Sequence, residues 1–375
     1  MKTSKKSVIK MVMLTSASFA GYNIGSGFAT GIEALQFFAS WGSGKAYISI
    51  TIALLVSVVV MSAVYITGYE QQFKDSKEVY RYFCGKHVGV IFDYYIYISM
   101  ILVTLTMMSG AGATINQYSG LPTYVGSAIM GTLCIITSLL DLGRLRDIMS
   151  YLCILIIIFV FGCGLYAAYY KGTGPGYGSL YIDEFVAKGK ILRSSAFGLY
   201  NPYLSGVASA GLLIGSGFAW ASATGGLCRR KKEAALSGVF SPLFFYAATG
   251  VVVYLLLVVM EHVAGKEVPM LAVVQHLFPA LSVAYSVIIV IAIFSTISGR
   301  LFLIGERYGG DRKRTLIVVT GITIFASAFA SIIPFSKVSN FMFSICGAIG
   351  IIFDGNLFTQ GFILTLSFRG LIRRN

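Results

Sequence analysis

Apolar runs of about 20 residues recur along the whole chain, and a helix of this length is long enough to cross a bilayer. Of the 375 residues, 56% are hydrophobic and only 12% are charged. A soluble globular chain carries about 25% charged residues. The pattern therefore predicts an all-α integral membrane protein embedded in a lipid bilayer.

The apolar runs predict ten transmembrane helices. The first run follows a lysine-rich start and superficially resembles a signal peptide, but it continues through Phe38, so we interpret it as a retained first span. The ten spans are expected at residues 8–41, 45–69, 89–117, 122–140, 147–170, 199–227, 235–261, 278–304, 315–333 and 337–366.

The distribution of basic residues predicts the orientation of these spans. If the N-terminus is cytoplasmic, 22 of the 29 lysines and arginines fall on the cytoplasmic side and 7 on the outer side. Basic residues favour cytoplasmic loops, so both termini are expected in the cytoplasm of a bacterial cell, with the protein in its inner (cytoplasmic) membrane. The net charge of +14 is dispersed among short loops, which argues against nucleic-acid binding.

One hexapeptide, Ile-Gly-Ser-Gly-Phe-Ala, occurs at residues 24–29 and again at residues 214–219. A glycine in a helix interior costs about 1 kcal/mol relative to alanine. Paired interruptions in corresponding spans of two halves indicate a transporter binding site. The repeat therefore predicts that spans 1 and 6 are discontinuous helices. Alternatively, the glycines permit close packing between helices, as small residues do in membranes.

The two copies also predict the domain organisation. They lie five spans apart, and an odd offset means that they enter the membrane from opposite sides. The chain is expected to form a single transmembrane domain with a 5+5 inverted repeat. The first repeat is about 8–170, an outer connector occupies 171–198, and the second repeat is about 199–366.

The segment from Gly25 to Phe38, which reads GSGFATGIEALQFF, resembles the opening motif of the YkvI-like bacterial membrane proteins, typically GxGFASGQEILQFF. Thr30 and Ile32 depart mildly from that motif, which has Ser and Gln there. The ten spans, the inverted halves and the glycine-broken spans resemble the LeuT-like fold of the amino acid–polyamine–organocation (APC) superfamily. The resemblance implies a transport protein of that fold and leaves the substrate open.

A broken span 1 would provide a substrate site. Unwinding near Gly25 leaves free amides at the start of the outer half-helix, and a helix N-terminus favours an anionic group such as a carboxylate. A break in span 6 would add backbone groups from the other half. The predicted substrate-binding residues are Tyr22, Asn23, Gly25, Ser26, Gly27, Phe28, Gly215, Ser216, Gly217 and Phe218.

The resemblance also implies a sodium site between spans 1 and 8. In sodium-coupled proteins of the LeuT-like fold, two adjacent hydroxyl residues and three carbonyls hold the ion, and oxygen donors suit a hard cation. The matching residues are the hydroxyls of Ser295 and Thr296 and the carbonyls of Gly21, Ile24 and Ala292. Alternatively, both hydroxyls bond back to their own helix. Span 5 has no lysine to replace the ion, which favours Na⁺ as the coupling ion.

Four charged residues within or near the spans are further candidates. Glu33 lies about 9 Å along the helix from Gly27, and such a buried charge is a candidate coupling or gate residue. Alternatively, Glu33 is an interfacial glutamate bonded to a neighbour such as Gln36. We expect Asp354 to cap a half-helix or to pair with a basic residue at the inner gate, Asp93 to be an interfacial charge, and Arg300 to pair with a gate acid.

These features favour a secondary active transporter of a small organic solute, an amino acid or related zwitterion, working by alternating access and coupled to sodium. The alternatives are a non-transporting solute sensor of the same fold and a proton-coupled or uncoupled transporter. No nucleophile motif, phosphate loop or metal-ligand cluster occurs, so we do not expect an enzyme. The scattered cysteines predict free thiols, and no obligate protein partner is evident.

Overall fold

The computed structural model describes residues 5–73, 76–137, 142–170, 174, 176–194, 196–266, 268–309, 311–330, 335, 338–339, 341–352 and 355. Helices make up nearly all of this part of the chain. Their bounds are α1 Lys5–Asn23, α2 Ser26–Ala29, α3 Ile32–Phe37, α4 Ser43–Gln71, α5 Ser76–Cys84, α6 Val88–Ser119, α7 Thr123–Thr137, α8 Leu142–Tyr170, α9 Gly176–Ser179, α10 Ile182–Ala187, α11 Pro202–Gly226, α12 Lys231–Val258, α13 Met260–Val263, α14 Pro269–Leu277, α15 Ser282–Tyr308, α16 Arg312–Ala330 and α17 Phe341–Ile352.

Six helices in the described part of the chain are long and apolar enough to cross a membrane: α4, α6, α8, α11, α12 and α15, the last together with the short 3-10 turn before it. α7 and α17 are shorter apolar helices. The predicted all-α, multi-pass membrane architecture is confirmed. The last part of the tenth predicted span, including Asp354, lies outside the described residues.

The long helices pack in two groups. In the first group α4 lies against α11 and α12, and α1 lies against α12 and also against α8. In the second group α6, α7, α15 and α16 pack against one another. α1 also contacts α15, so the first helix touches both groups.

Small residues allow the close contact between α4 and α11. A Cβ atom added at Gly206 would lie 2.5 Å from the carbonyl oxygen of Ser49, and one at Gly225 would lie 2.7 Å from that of Tyr65. Backbones can approach this closely only where a side chain is missing, as in many membrane helix pairs. The start of α11 is fixed by Asn201, whose side-chain oxygen accepts hydrogen bonds from the amides of Tyr203 and Leu204.

The connector before α11 and helix α14 cover the end of span 1. The amide of Ser194 donates to the carbonyl of Gln36 at 3.0 Å, and the guanidinium of Arg193 donates to the carbonyl of Ser40 at 3.0 Å. On the other flank, the amide of Met270 in α14 donates to the carbonyl of Thr30 at 2.8 Å. These contacts hold α3 under the connector and under α14.

Candidate functional site

Span 1 is interrupted, as predicted. α1 ends at Asn23, and the chain resumes as two short helices, α2 and α3. The second interruption, at Thr30 and Gly31, was not predicted; Gly31 has φ +80°, a conformation that favours glycine. The predicted outer half-helix is therefore divided into one helix of 4 residues and one of 6.

The carbonyls freed by these interruptions are bonded by other helices. The Tyr285 hydroxyl in α15 donates to the carbonyl of Ala29 at 2.6 Å, and α14 bonds the next carbonyl, that of Thr30. Unpaired main-chain groups are costly inside a membrane. The break is thus stabilised by residues far away in the sequence.

The predicted break in span 6 is wrong, because α11 runs without interruption through both glycines of the second hexapeptide. A Cβ atom at Gly217 would lie 2.5 Å from the ring of Phe19 and 2.9 Å from the amide nitrogen of Asn23. Here the glycine lets α1 approach α11 closely, which is the packing alternative raised by the sequence. The same hexapeptide therefore has two different structures.

A cavity lies beside the interruption of span 1, between the two helix groups. It contains about 530 Å³ of space not filled by atoms, including space open to solvent. Its walls come from α1, α3, α6, α11, α12, α15 and α17, together with Gly27 and Ser339. Most of the wall is apolar. The polar side chains at the wall are Asn23, Glu33, Thr106, Ser216, Arg300 and Ser339.

Two predicted substrate-binding residues meet at this cavity. The hydroxyl of Ser216 donates to the side-chain oxygen of Asn23 at 2.7 Å, and the side-chain amide of Asn23 donates to the carbonyl of Phe19 at 3.0 Å. This chain of bonds joins the end of α1 to the middle of α11. Gly27, another predicted residue, also lines the cavity.

The other described predicted residues of span 1 make packing contacts and do not line the cavity. Tyr22 stacks on Trp220 with ring centroids 5.2 Å apart. A Cβ at Gly25 would overlap the end of the Met107 side chain. Phe28 packs against Phe245 at 5.6 Å. The side chain of Ser26 lies outside the described part of the chain.

The remaining predicted residues of span 6 also make packing contacts. A Cβ atom added at Gly215 would lie 3.7 Å from the side chain of Ile96, and Gly217 packs against α1 as described above. Phe218 stacks on Tyr80 of α5 with centroids 5.3 Å apart, and Phe83 approaches it edge-on at 5.3 Å. Phe218 therefore packs against α5.

Three residues of the predicted sodium site, Gly21, Ser295 and Thr296, come together. The hydroxyls of Ser295 and Thr296 both donate to the carbonyl of Gly21, at 3.2 Å and 3.3 Å. Ala292 is fully buried one turn earlier on α15, and Ile24 is fully buried just after α1 ends. The hydroxyls thus bond across to span 1, rather than only to their own helix as in the alternative reading. The donor set is all oxygen, which fits a hard cation such as Na⁺.

Arg300 is the main cavity residue whose place the sequence did not reveal. It is 3% exposed, and its Nη1 donates to the carbonyls of Tyr22 and Thr296 at 3.1 Å and 3.3 Å. Its guanidinium lies over the Tyr22 ring at 4.8 Å. The last carbonyls of a helix carry partial negative charge. Arg300 therefore stabilises the end of α1, and the only sequence signal was a lone arginine inside an apolar span.

Glu33 borders the same cavity and is partly exposed to it. It is close enough to Arg300 to interact electrostatically. Within the described ranges, no hydrogen bond or ion pair reaches the Glu33 carboxylate, including any from Gln36. The bonded interfacial glutamate considered from the sequence is therefore absent from this structure.

Asp93 differs from the sequence expectation of an ordinary interfacial charge. It is 5% exposed and forms an ion pair with Arg307, so α6 and α15 are linked by two buried charges. The six cysteines are buried free thiols, as predicted. In the part of the chain that is described, no group of three or more His, Cys, Asp or Glu side chains could hold a metal ion.

Comparison with known proteins supports the fold. No protein-family model matches the chain. The chain is 25% identical to the uncharacterized protein YyaD of Bacillus subtilis (strain 168) over 337 residues, which cover 88% of this chain and 91% of YyaD.

Three solved structures have a similar fold. A Na⁺-coupled sialic acid symporter matches with a TM-score of 0.61 and 16% identity over 93% of this chain and 78% of its own. Mhp1, a nucleobase-cation-symport-1 family transporter, matches with a TM-score of 0.58 and 12% identity. The match covers 88% of this chain and 74% of Mhp1. A point mutant of the manganese transporter of Eremococcus coleocola matches with a TM-score of 0.51 and 13% identity. The match covers 94% of this chain and 78% of the transporter. The chain therefore has the fold of these membrane transporters.

Proposed function

We propose that the protein is a secondary active transporter that moves a small organic solute, an amino acid or related zwitterion, by alternating access. The observation that carries this proposal is the interruption of span 1 beside a cavity whose walls come from both helix groups. A ligand shifts a conformational equilibrium only if it binds the states differently. A solute between two groups of helices has that property, because its contacts change when the groups move.

The proposed architecture follows from the same arrangement. Ten spans form one domain with inverted repeats at about 8–170 and 199–366. The group containing α4, α11 and α12, together with α1, rocks against the group of α6, α7, α15 and α16. The protein lies in the inner membrane of a bacterial cell with both termini in the cytoplasm, which the loop charges support.

Sodium is the proposed coupling ion. Its site would be formed by the carbonyls of Gly21, Ile24 and Ala292 and the hydroxyls of Ser295 and Thr296. The bonds from both hydroxyls to Gly21 support this proposal, since they join α1 to α15 across the boundary of the groups. An ion held there would favour the conformation in which the two helices touch.

A proton-coupled or uncoupled transporter is the second candidate, and Arg300 favours it. The guanidinium already places a fixed positive charge on the carbonyl of Tyr22, next to that of Gly21. A sodium ion at Gly21 would be repelled by this charge. Glu33, at the same cavity, is the residue that would carry a proton.

Substitution of both hydroxyls tests the sodium site. We expect the Ser295→Ala/Thr296→Ala double variant to need on the order of 100-fold more sodium for half-maximal uptake, because two ligands of a charged ion are lost. The measurement is uptake of the common L-amino acids into vesicles with imposed sodium or proton gradients. Ser286→Ala is the matched control, since this hydroxyl on α15 bonds to its own helix, at Ser282.

The outcomes separate the candidates. Equal sodium-driven uptake by the double variant and the wild type would show that these residues do not form the sodium site. Uptake that follows a proton gradient and ignores sodium would establish the second candidate. Binding of a solute with no flux in either gradient would identify the protein as a sensor.

A further inference from the structure

The cavity beside span 1 contains two opposite charges that are not paired with each other. Glu33 comes from α3 and Arg300 from α15, and both side chains line the cavity. No ion pair joins them in the described part of the chain, although they are close enough to interact. A ligand that fits between them meets one positive and one negative group.

Arg300 also has an unused donor. Its Nη1 is bonded to the carbonyls of Tyr22 and Thr296, but its buried Nε has no hydrogen-bond partner among the described residues. The hydroxyl of Ser339, at the same cavity, is likewise buried without a partner in the described chain. Buried polar groups are almost always hydrogen-bonded, so both donors are available to an acceptor that enters the cavity.

The other polar groups of the cavity are already satisfied. Asn23 and Ser216 bond to each other, and the hydroxyl of Thr106 donates to the carbonyl of Leu102 at 3.0 Å. At the break itself, the amide of Gly25 donates to the carbonyl of Asn23 at 2.8 Å. The outer half-helix is divided into two short helices, which weakens the macrodipole expected there.

We propose that Arg300 and Ser339 bind the carboxylate of a zwitterionic solute while Glu33 binds its cationic group. This inference rests on the proposed transport function and replaces the backbone amides of span 1 as the carboxylate ligand. The cavity charges cancel, and a zwitterion satisfies both. An anion without a cationic group would face Glu33, and a cation without a carboxylate would face Arg300, so both are disfavoured.

Ligand chemistry tests the proposal on the unaltered protein. The common L-amino acids are added one at a time to purified wild-type protein, and binding is measured by thermal unfolding and by titration calorimetry. For the amino acid that binds best, its methyl ester and the corresponding 2-hydroxy acid are then compared. We expect each analogue to bind about 100-fold more weakly, since each loses a charged hydrogen-bonded contact.

Variants assign the two contacts. We expect Arg300→Gln to bind the amino acid about 100-fold more weakly and to lose the discrimination against the methyl ester. Glu33→Gln should lose the discrimination against the 2-hydroxy acid. Arg300→Lys retains the charge and should recover part of the affinity, with size-exclusion profiles checking that each variant is folded. Thr104→Val is the control, because Thr104 is buried on α6 and bonds only within it, to Met100.

The remaining outcomes contradict either this inference or the proposed transport function on which it rests. Equal binding of amino acid and methyl ester, or unchanged discrimination in Arg300→Gln, would remove Arg300 as the carboxylate ligand. Transport of a solute that has no carboxylate would also overturn the inference while leaving the transporter intact. Absence of flux for every solute, with binding retained, would overturn transport and leave the ligand assignment standing.

Discussion

An Asp93→Ala variant is expected to lose about 3–5 kcal/mol of unfolding free energy, because it leaves Arg307 buried without its carboxylate. The two side chains are 7% and 5% exposed and connect α6 to α15. Removing one charge of a buried pair leaves the other with an uncompensated desolvation cost. The measurement is denaturant or thermal unfolding of the purified protein in one detergent.

Asp147→Ala is the matched control for this substitution. Asp147 also pairs with an arginine, Arg146, but its side chain is 42% exposed. Pairs at exposed positions contribute about 0–1 kcal/mol. A double variant, Asp93→Ala/Arg307→Met, should regain most of the loss because no buried charge remains. Similar losses for Asp93→Ala and Asp147→Ala would show that burial does not set the strength of the Asp93 pair.

A Gly68→Val variant is expected to lose about 1–3 kcal/mol through overpacking. A Cβ at Gly68 would overlap the carbonyl oxygen of Ser222, so the obstacle is main chain and cannot rotate away. The substitution would push α4 from α11 within the first helix group. Thermal unfolding in detergent measures the loss, and crosslinking of cysteines placed on α4 and α11 measures the separation.

Gly44→Val, on the same helix, is the control. An added Cβ at Gly44 meets nothing within 4 Å, so we expect a change within about 0.5 kcal/mol. If both variants lost the same stability, the cost would come from the side chain's effect on α4 itself. The close contact at Ser222 would then not be limiting.

The spanning helices could be predicted from the sequence because their main requirement is local. A bilayer demands about 20 apolar residues in succession, and the expected spans 45–69 and 235–261 correspond to α4 and α12 with shifts of a few residues. Composition thus identifies a membrane-spanning segment almost by itself. It says much less about whether that segment is continuous.

The two hexapeptides show the limit of local information. At residues 24–25 the helix is interrupted, and the carbonyls of Gly21 and Tyr22 at the end of α1 accept hydrogen bonds from Ser295, Thr296 and Arg300. At residues 214–219 no such partners are needed, and the helix continues. The same six residues interrupt a helix where distant donors are available, and they form a continuous helix where a neighbouring helix packs closely against them. Distant neighbours, invisible in the hexapeptide itself, decide the outcome.

The position of Arg300 at the end of α1 could not be predicted from the sequence for the same reason. Arg300 bonds to the carbonyl of Tyr22, which is 278 positions away in the chain. Its proximity to a helix end could not be read from the composition of span 8. The pairing of Ser295 and Thr296 with Gly21 was predictable only because the fold resemblance supplied the alignment of spans 1 and 8.

The aromatic contacts of α5 differ in kind from the contacts that hold α3. α5 is a nine-residue helix that reaches Phe218 through Tyr80 and Phe83, and such ring pairs are worth about 0.5–1.5 kcal/mol each. On the opposite face, main-chain hydrogen bonds hold Thr30 and Gln36. α5 is thus held by side chains and α3 by main-chain bonds, so we expect side-chain substitutions to loosen α5 without removing the bonds to Thr30 and Gln36.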